Sequence, residues 1–168
     1  ILYRLVGSEM CIRDRNSALK AEKKSSRVAA DGILVSTLTD NYATILEINT
    51  ETDFAAKDSS FLSFAEKVKT YITENKVTDI NSLKDSSLEE ERKTLIQTIG
   101  ENIQLRRIET IDLTSEMKKG LYMHFDSKLA AIVITKDGSD EVARNVAMHV
   151  SAVNPLCLSE DDLSLIHI

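Results

Sequence analysis

The stretch NYATILEINTETDFAAKDSSF, residues 41–61, joins a strand pattern to a helix pattern through a short polar connection. Side chains alternate along 42–49, so that one face of a strand would carry Tyr42, Thr44, Leu46 and Ile48, and the other Ala43, Ile45, Glu47 and Asn49. Apolar and β-branched residues dominate this run, which predicts a strand with one face in the core. The connection covers 50–57, and the helix pattern begins after it.

Two helices are predicted downstream of this strand. Asp58 is a suitable N-cap for the first, which should end near Asn75 because apolar residues recur at spacings of three and four at Phe61, Phe64, Ala65, Val68 and Ile72. The second is expected to begin at Ser87, which would form a capping box with Glu90, and to stop at Gly100.

The other strands are predicted from shorter patterns. Residues 32–39 form a run similar to 42–49, and the intervening Asp40-Asn41 tolerates the positive φ angles of a two-residue hairpin turn. From 103 to 111 the apolar alternation slips by one residue at Arg106-Arg107, as in a strand with a bulge. Runs 120–125 and 128–135 predict a second hairpin, whose second strand is nearly all apolar and is expected to be buried on both faces.

A last helix is expected after the turn 136–138. Ser139 can cap it, and Pro155 prevents its continuation. Its apolar positions are Val142, Val146, Ala147 and Val150.

The element order ββαα then βββα predicts an α+β fold with two small subdomains, each a short antiparallel sheet with packed helices. We expect the division near Gly100, with subdomains at 16–100 and 101–164. Residues 1–15 and 165–168 resemble translated sequencing-adapter remnants. We therefore expect both segments to be foreign to the native protein.

Charge and composition restrict the classes of partner. The 168 residues carry a net charge of −6, from 21 basic and 27 acidic side chains, which argues against a partner held by phosphate contacts. No apolar run approaches the roughly 20 residues that cross a bilayer, so no membrane partner is expected. Cys11 and Cys157 are too few for a disulfide framework or zinc site, which favours a reducing, cytoplasmic location.

Chemical motifs are sparse. With five glycines, the chain has no glycine-rich phosphate loop, so we expect no directly bound nucleotide and no cofactor. His124, His149 and His167 have no companions at ligand spacing, and no metal site is predicted. A Cys157–His149 nucleophile pair, as in a small hydrolase, competes with a structural cysteine and a partly buried or interface histidine. We expect no enzyme activity.

Two further sites have open interpretations. Arg106 and Arg107 could bind a carboxylate or phosphate, but two basic residues beside a strand are more often ordinary surface residues or part of a structural ion pair. Phe54, in the segment 51–57, could pack as a hydrophobic staple for the following helix or protrude as an aromatic anchor for a partner's pocket. Spacing alone favours the staple.

Four stretches together resemble successive segments of the bacterial elongation factor Ts family: RVAADGIL (27–34), NYATILEINTETDFAAKDSSF (41–61), IGENIQLRR (99–107) and ARNVAMHVSAVNP (143–155). The similarity runs from 27 to 164. The resemblance implies that the chain lacks the family's N-terminal helical domain, its coiled-coil insertion and the end of the C-terminal subdomain.

The resemblance also implies a function and a site. Members of this family bind elongation factor Tu, in its GDP-bound or nucleotide-free form, and promote GDP release during translation elongation by disturbing its magnesium and phosphate site. The partner-binding residues would be Thr52, Asp53, Phe54, Ala55, Ala56 and, as a second contact, His149. The alternative is a truncated docking module that binds elongation factor Tu without driving exchange.

Overall fold

The computed structural model describes residues 27–155. The chain divides into two compact units between Asp112 and Leu113. In chain order the elements are β1 (Asp31–Leu38), β2 (Tyr42–Thr50), α1 (Asp53–Ala56), α2 (Ser59–Asn75), α3 (Ile80–Lys84), α4 (Ser87–Ile99), β3 (Ile103–Asp112), β4 (Lys118–Met123), β5 (Ala130–Thr135) and α5 (Asp140–Val153).

The predicted α+β class is confirmed, with one antiparallel sheet in each unit. The first unit has a three-stranded sheet in the order β1-β2-β3, and the second has the hairpin β4-β5. The division expected near Gly100 differs from the observed one, because β3 forms its ladder with β2 and so belongs to the first unit. Residues 1–15 and 165–168 lie outside the described part of the chain.

The predicted hairpin of β1 and β2 is confirmed, but its turn is held differently. Leu38 faces Ala43 across the ladder, with Asp40-Asn41 at the tip. Neither tip residue adopts a positive φ. Instead the Thr39 hydroxyl donates to the Tyr42 carbonyl at 2.8 Å and accepts from the Tyr42 amide at 3.1 Å. A side-chain turn thus replaces the predicted backbone conformation.

The bulge predicted at Arg106-Arg107 is confirmed. Glu47 on β2 faces Arg107 and the next residue, Ile48, faces Leu105, so Arg106 is the extra residue. Both guanidinium groups donate to the Glu47 carboxylate at 2.9 Å. Burial raises the pKa of Glu47, but hydrogen bonds from Asn49 and Arg106 and the charges of both arginines outweigh it and hold the pKa below its ordinary value.

The core of the first unit lies between its sheet and its helices. The predicted apolar face of α2 is buried, and the Tyr42 hydroxyl donates to the Thr73 carbonyl at 2.6 Å, fixing the end of this helix to β2. The buried cluster comprises Val35, Leu46, Ile48, Ala56, Phe61, Phe64, Ala65, Val68, Ile72, Val77, Leu83, Leu88, Leu95, Ile96, Ile103 and Leu105.

Most predicted helix ends are confirmed. Asp58 caps α2, which ends at Asn75, and Gly100 ends α4 at a φ of 89°. The cap of α4 is Ser86 rather than Ser87, since the Ser86 hydroxyl accepts from the Leu88 amide at 3.3 Å. The short helices α1 and α3 were not predicted. No helix within 27–155 is long and apolar enough to cross a membrane.

In the second unit, burial departs from the apolar pattern of the sequence in α5 and in β5. On α5, capped by Ser139 as expected, Val142 and Val146 are 51% and 40% exposed, and Ala143 and Ala147 are buried. The reason is Gly120 on β4, where an added Cβ would lie 2.1 Å from the Ala143 carbonyl carbon, so only small residues fit between helix and strand.

Strand β5, expected to be buried on both faces, is only half-buried along its whole length. Gly120 and its cross-strand partner Val133 lie on the sheet face that packs against α5. The opposite face therefore has no helix of this unit within the described residues, which explains the partial burial.

Candidate protein-binding site

Phe54 protrudes from the first unit. It is 82% exposed, although it follows a buried strand and precedes a long buried helix. The hydrophobic-staple interpretation is therefore wrong, because a staple must pack against the helix that it precedes. An exposed aromatic ring on ordered backbone is the geometry of an interface anchor.

The neighbouring alanines explain why the ring points outward. Ala55 and Ala56 are each 4% exposed, and Ala56 belongs to the core cluster. A single helical turn that buries these two side chains directs Asp53 and Phe54 away from the core. The predicted partner contacts of Ala55 and Ala56 are thus covered by the chain itself, and these residues anchor the turn.

Thr52 fixes the start of α1. Its hydroxyl accepts from the Ala55 amide at 3.4 Å, and its carbonyl accepts from the Ala56 amide at 3.2 Å. The same hydroxyl donates to Glu101 Oε1 at 2.7 Å, while the Thr52 amide donates to Glu101 Oε2 at 3.0 Å. One carboxylate therefore binds both hydrogen-bond donors of the cap residue.

A second carboxylate makes the reciprocal contact. The Glu51 Oε1 atom accepts from the Asn102 amide at 2.7 Å and lies 3.7 Å from Arg27 Nη1. The Asn102 side chain in turn donates to the Arg27 carbonyl at 2.8 Å. We call Glu51, Thr52, Glu101 and Asn102 the brace, since it joins the segment before Phe54 to the segment after α4.

Sequence reasoning missed the brace. Its members lie in stretches 41–61 and 99–107, both of which carry the family resemblance, but the two carboxylates were assigned no role. Hydrogen bonds spanning 49 to 51 residues leave no periodic signal in the sequence. The co-occurrence of the two motifs was the available clue.

Asp53 stays accessible beside Phe54. Its carboxylate lies 2.9 Å from Lys57 Nζ, with side-chain exposures of 43% and 73%. An exposed pair at this helical spacing contributes about 0.3–0.5 kcal/mol. A partner could therefore displace Lys57 from Asp53 at small cost.

The histidine and cysteine candidates lie in different parts of the chain. His149 is exposed on α5 of the second unit rather than partly buried. His124 Nδ1 lies 2.9 Å from Asp126 Oδ1. The Lys128 backbone N–H first, and His124 second, hold the pKa of Asp126 below its ordinary value. Cys157 and His167 lie outside the described residues, so the proposed nucleophile pair stays a hypothesis.

The alternative left open for Arg106 and Arg107 is decided by geometry. Arg106 and Arg107 form a structural ion pair with Glu47, whose side chain is 15% exposed. Within 27–155, no group of three or more His, Cys, Asp or Glu side chains is placed to hold a metal ion.

Comparison with known proteins gives a consistent result. The family model for "Elongation factor TS" matches residues 51–167. Elongation factor Ts of Hahella chejuensis is 41% identical over 160 residues, covering 93% of this chain and 55% of that protein. The protein of the same name from Marinobacter nauticus is 44% identical over 151 residues, covering 89% and 51%.

A third relative agrees with these two. Elongation factor Ts of Escherichia coli O139:H28 is 39% identical over 150 residues, covering 89% of this chain and 51% of that protein. The chain thus spans about half the length of the relatives that it matches. With a family match over residues 51–167 and this similarity along most of its length, the chain belongs to the elongation factor Ts family.

Proposed function

We propose that this chain acts in translation elongation by binding elongation factor Tu and promoting the release of GDP. The observation that carries the proposal is the 82% exposed Phe54 on a helical turn whose N-cap residue, Thr52, is fixed by Glu101. Membership of the elongation factor Ts family supports the identity of the partner.

Phe54 would act as the main anchor. Its ring leaves water on entering an apolar pocket of the partner, while the brace limits the conformational entropy lost on binding. Asp53, beside it, supplies a carboxylate that can compete for groups positioning the partner's magnesium ion. GDP is held partly through Mg²⁺ on its phosphates, so displacing those groups removes a large electrostatic attraction.

No covalent step is needed for this activity. A factor that weakens GDP binding must itself bind less tightly when GDP is present, because the coupling between two sites is reciprocal. The ternary complex can then resolve by losing either ligand. His149 on α5 is proposed as a second contact, and its exposure leaves it free to make one.

The alternative is a docking module that binds elongation factor Tu without driving exchange. The chain spans about half the length of its relatives, and this observation keeps the alternative open. The two functions differ in one measurable quantity, the coupling between the chain and GDP.

The test is a pair of titrations. The affinity of the chain for elongation factor Tu is measured by calorimetry without nucleotide and with saturating GDP. An exchange factor should bind about 5- to 150-fold more weakly when GDP is present, corresponding to a coupling of about 1–3 kcal/mol. Equal affinities would establish the docking module, and no binding in either state would refute both functions.

A further inference from the structure

A small cavity lies beside the brace, where α3, α4 and β3 of the first unit meet. It has a volume of about 160 Å³ and is lined by Lys84 of α3, Arg92 of α4, Asn102 of the brace, and Gln104 and Leu105 of β3. Both charged residues of this lining are basic, although the whole chain has a net charge of −6. We call it the basic cavity, and its charge favours an anionic ligand.

Arg92 is fixed in the wall of the basic cavity. Its side chain is 17% exposed, and its Nε and Nη2 atoms donate to the two carboxylate oxygens of Glu89 at 2.8 and 2.6 Å. Its Nη1 atom donates to the Ile103 carbonyl. These bonds use one N–H of each nitrogen, so one further N–H on each Nη atom remains to bind an anion. Because the guanidinium is already oriented, it loses little entropy when it does so.

Lys84 supplies the net positive charge of the basic cavity, since the Glu89 carboxylate balances Arg92. Burial raises the pKa of Glu89, but the hydrogen bond and charge of Arg92 and the charges of Lys93 and Lys84 hold it below its ordinary value. The Lys84 ammonium is thus within electrostatic range of the Arg92–Glu89 pair. The exposed Gln104 adds a side-chain amide, which can donate to an anion without adding charge.

This set of donors suits a phosphate group. Arginine offers a planar pair of N–H groups to two oxygens, and lysine binds phosphate as a point charge. A phosphate group carries a charge of about −1.5 to −2 near neutral pH, so it gains more from Lys84 and Arg92 than a singly charged carboxylate does. The cavity is smaller than the roughly 300 Å³ of pockets that enclose small organic ligands, so it can enclose the phosphate group itself but not a nucleotide.

We propose that the basic cavity is a binding site for a phosphate group, either the free ion or the phosphate of a larger molecule. Two of its oxygens accept from Nη1 and Nη2 of Arg92, and a third lies against the Lys84 ammonium. Phe54 and Asp53 are not part of the cavity lining, so the site is distinct from the proposed anchor. Arg92 also holds the carbonyl of Ile103, the residue after Asn102, and the bound anion is therefore next to the brace.

Titration of the whole chain with inorganic phosphate at constant ionic strength, followed by heteronuclear NMR, tests the site directly. The signals of the Arg92 Nε–H group and the Gln104 side-chain amide should shift and saturate, with a Kd on the order of 1 mM. Shifts that stay linear with phosphate concentration, or that arise only in other parts of the chain, would overturn the proposal.

A matched pair of variants separates the basic cavity from general attraction by charge. Lys84→Gln and Lys93→Gln each remove one positive charge from the first unit, but Lys93 pairs with Glu90 at 2.9 Å and does not line the cavity. Lys84→Gln should weaken phosphate binding about tenfold, because a charge-assisted contact is lost. Lys93→Gln should leave it within about twofold. Equal weakening by the two substitutions would contradict a specific site, and unchanged signals outside the cavity would show that Lys84→Gln still folds.

Two further ligands, titrated in the same way, identify the chemistry of the occupant. Phosphoserine that binds at least as tightly as inorganic phosphate assigns the site to a phosphate ester, and weaker binding of phosphoserine assigns it to the free ion. Acetate that binds as tightly as inorganic phosphate would overturn the assignment to phosphate. Elongation factor Tu takes no part in these titrations, so their outcome is independent of the proposed function.

Discussion

Replacing Glu101 by alanine should loosen the turn that carries Phe54. The carboxylate accepts two hydrogen bonds from Thr52, at 3.0 Å from the amide and 2.7 Å from the hydroxyl. Hydrogen bonds to a charged group contribute about 1.5–3 kcal/mol when protected from water. Both bonds are exposed, so we expect about 1 kcal/mol from each and about 2 kcal/mol for the pair.

The assay is amide exchange at Ala56, whose amide donates to the Thr52 carbonyl at 3.2 Å rather than to the Glu101 carboxylate. A local destabilisation of about 2 kcal/mol corresponds to exchange roughly 30-fold faster. Glu74→Ala, which removes an exposed carboxylate on α2, is the matched control and should leave this amide unchanged. Equal exchange in wild type and Glu101→Ala would refute a positioning role for the brace.

Three further outcomes are expected in urea unfolding. Ser86→Ala should cost about 1 kcal/mol by removing the N-cap of α4, whereas Ser87→Ala should cost far less. Gly120→Ala should cost about 1–3 kcal/mol or more, because its Cβ would overlap the α5 backbone. Burial raises the pKa of Glu89, but the Arg92 hydrogen bond and charge outweigh it and lower the net pKa. The stability contributed by the Glu89–Arg92 pair should therefore be present above pH 4.3 or so, about the ordinary pKa of glutamate. It should be lost as the pH falls through the lower pKa of the folded state, and Glu89→Gln should make the free energy of unfolding less dependent on pH in this range.

Local features were predictable where one residue dictates one geometry. The slip in alternation at Arg106-Arg107 identified the bulge, since side-chain direction in a strand has a period of two. Asp58 and Gly100 marked helix ends because few residues suit a cap. The cap of α4 was predicted at Ser87 instead of Ser86. The two serines are adjacent, and the three consecutive glutamates at 89–91 allow a capping box from either one.

Packing between elements could not be predicted from hydrophobicity. Val142 and Val146 are more apolar than Ala143 and Ala147, yet the alanines face the sheet. The decisive residue is Gly120, more than 20 positions earlier, whose missing side chain allows a backbone approach that valines would block. The half-burial of β5 likewise depends on how many elements cover its sheet, which no local window records.

The sequence predicted which residues form the site, but not the contacts that hold them in place. The stretch 51–57 pointed to Phe54, yet spacing could not separate a staple from an anchor, because the answer depends on Ala55 and Ala56 occupying the core beneath it. The brace depends on contacts about 50 residues apart in the chain. Such contacts exist only once β2 and α4 are folded.

The most direct measurement is the rate at which a fluorescent GDP analogue leaves elongation factor Tu with wild-type chain, Phe54→Ala or Phe125→Ala. The two phenylalanines are 82% and 91% exposed, so the same truncation is made at two equally accessible rings in different units. Loss of an anchoring aromatic costs about 2 kcal/mol or more, so Phe54→Ala should reduce the acceleration about 30-fold and Phe125→Ala should leave it unchanged. Acceleration that survives Phe54→Ala, or that Phe125→Ala abolishes equally, would contradict the role assigned to Phe54.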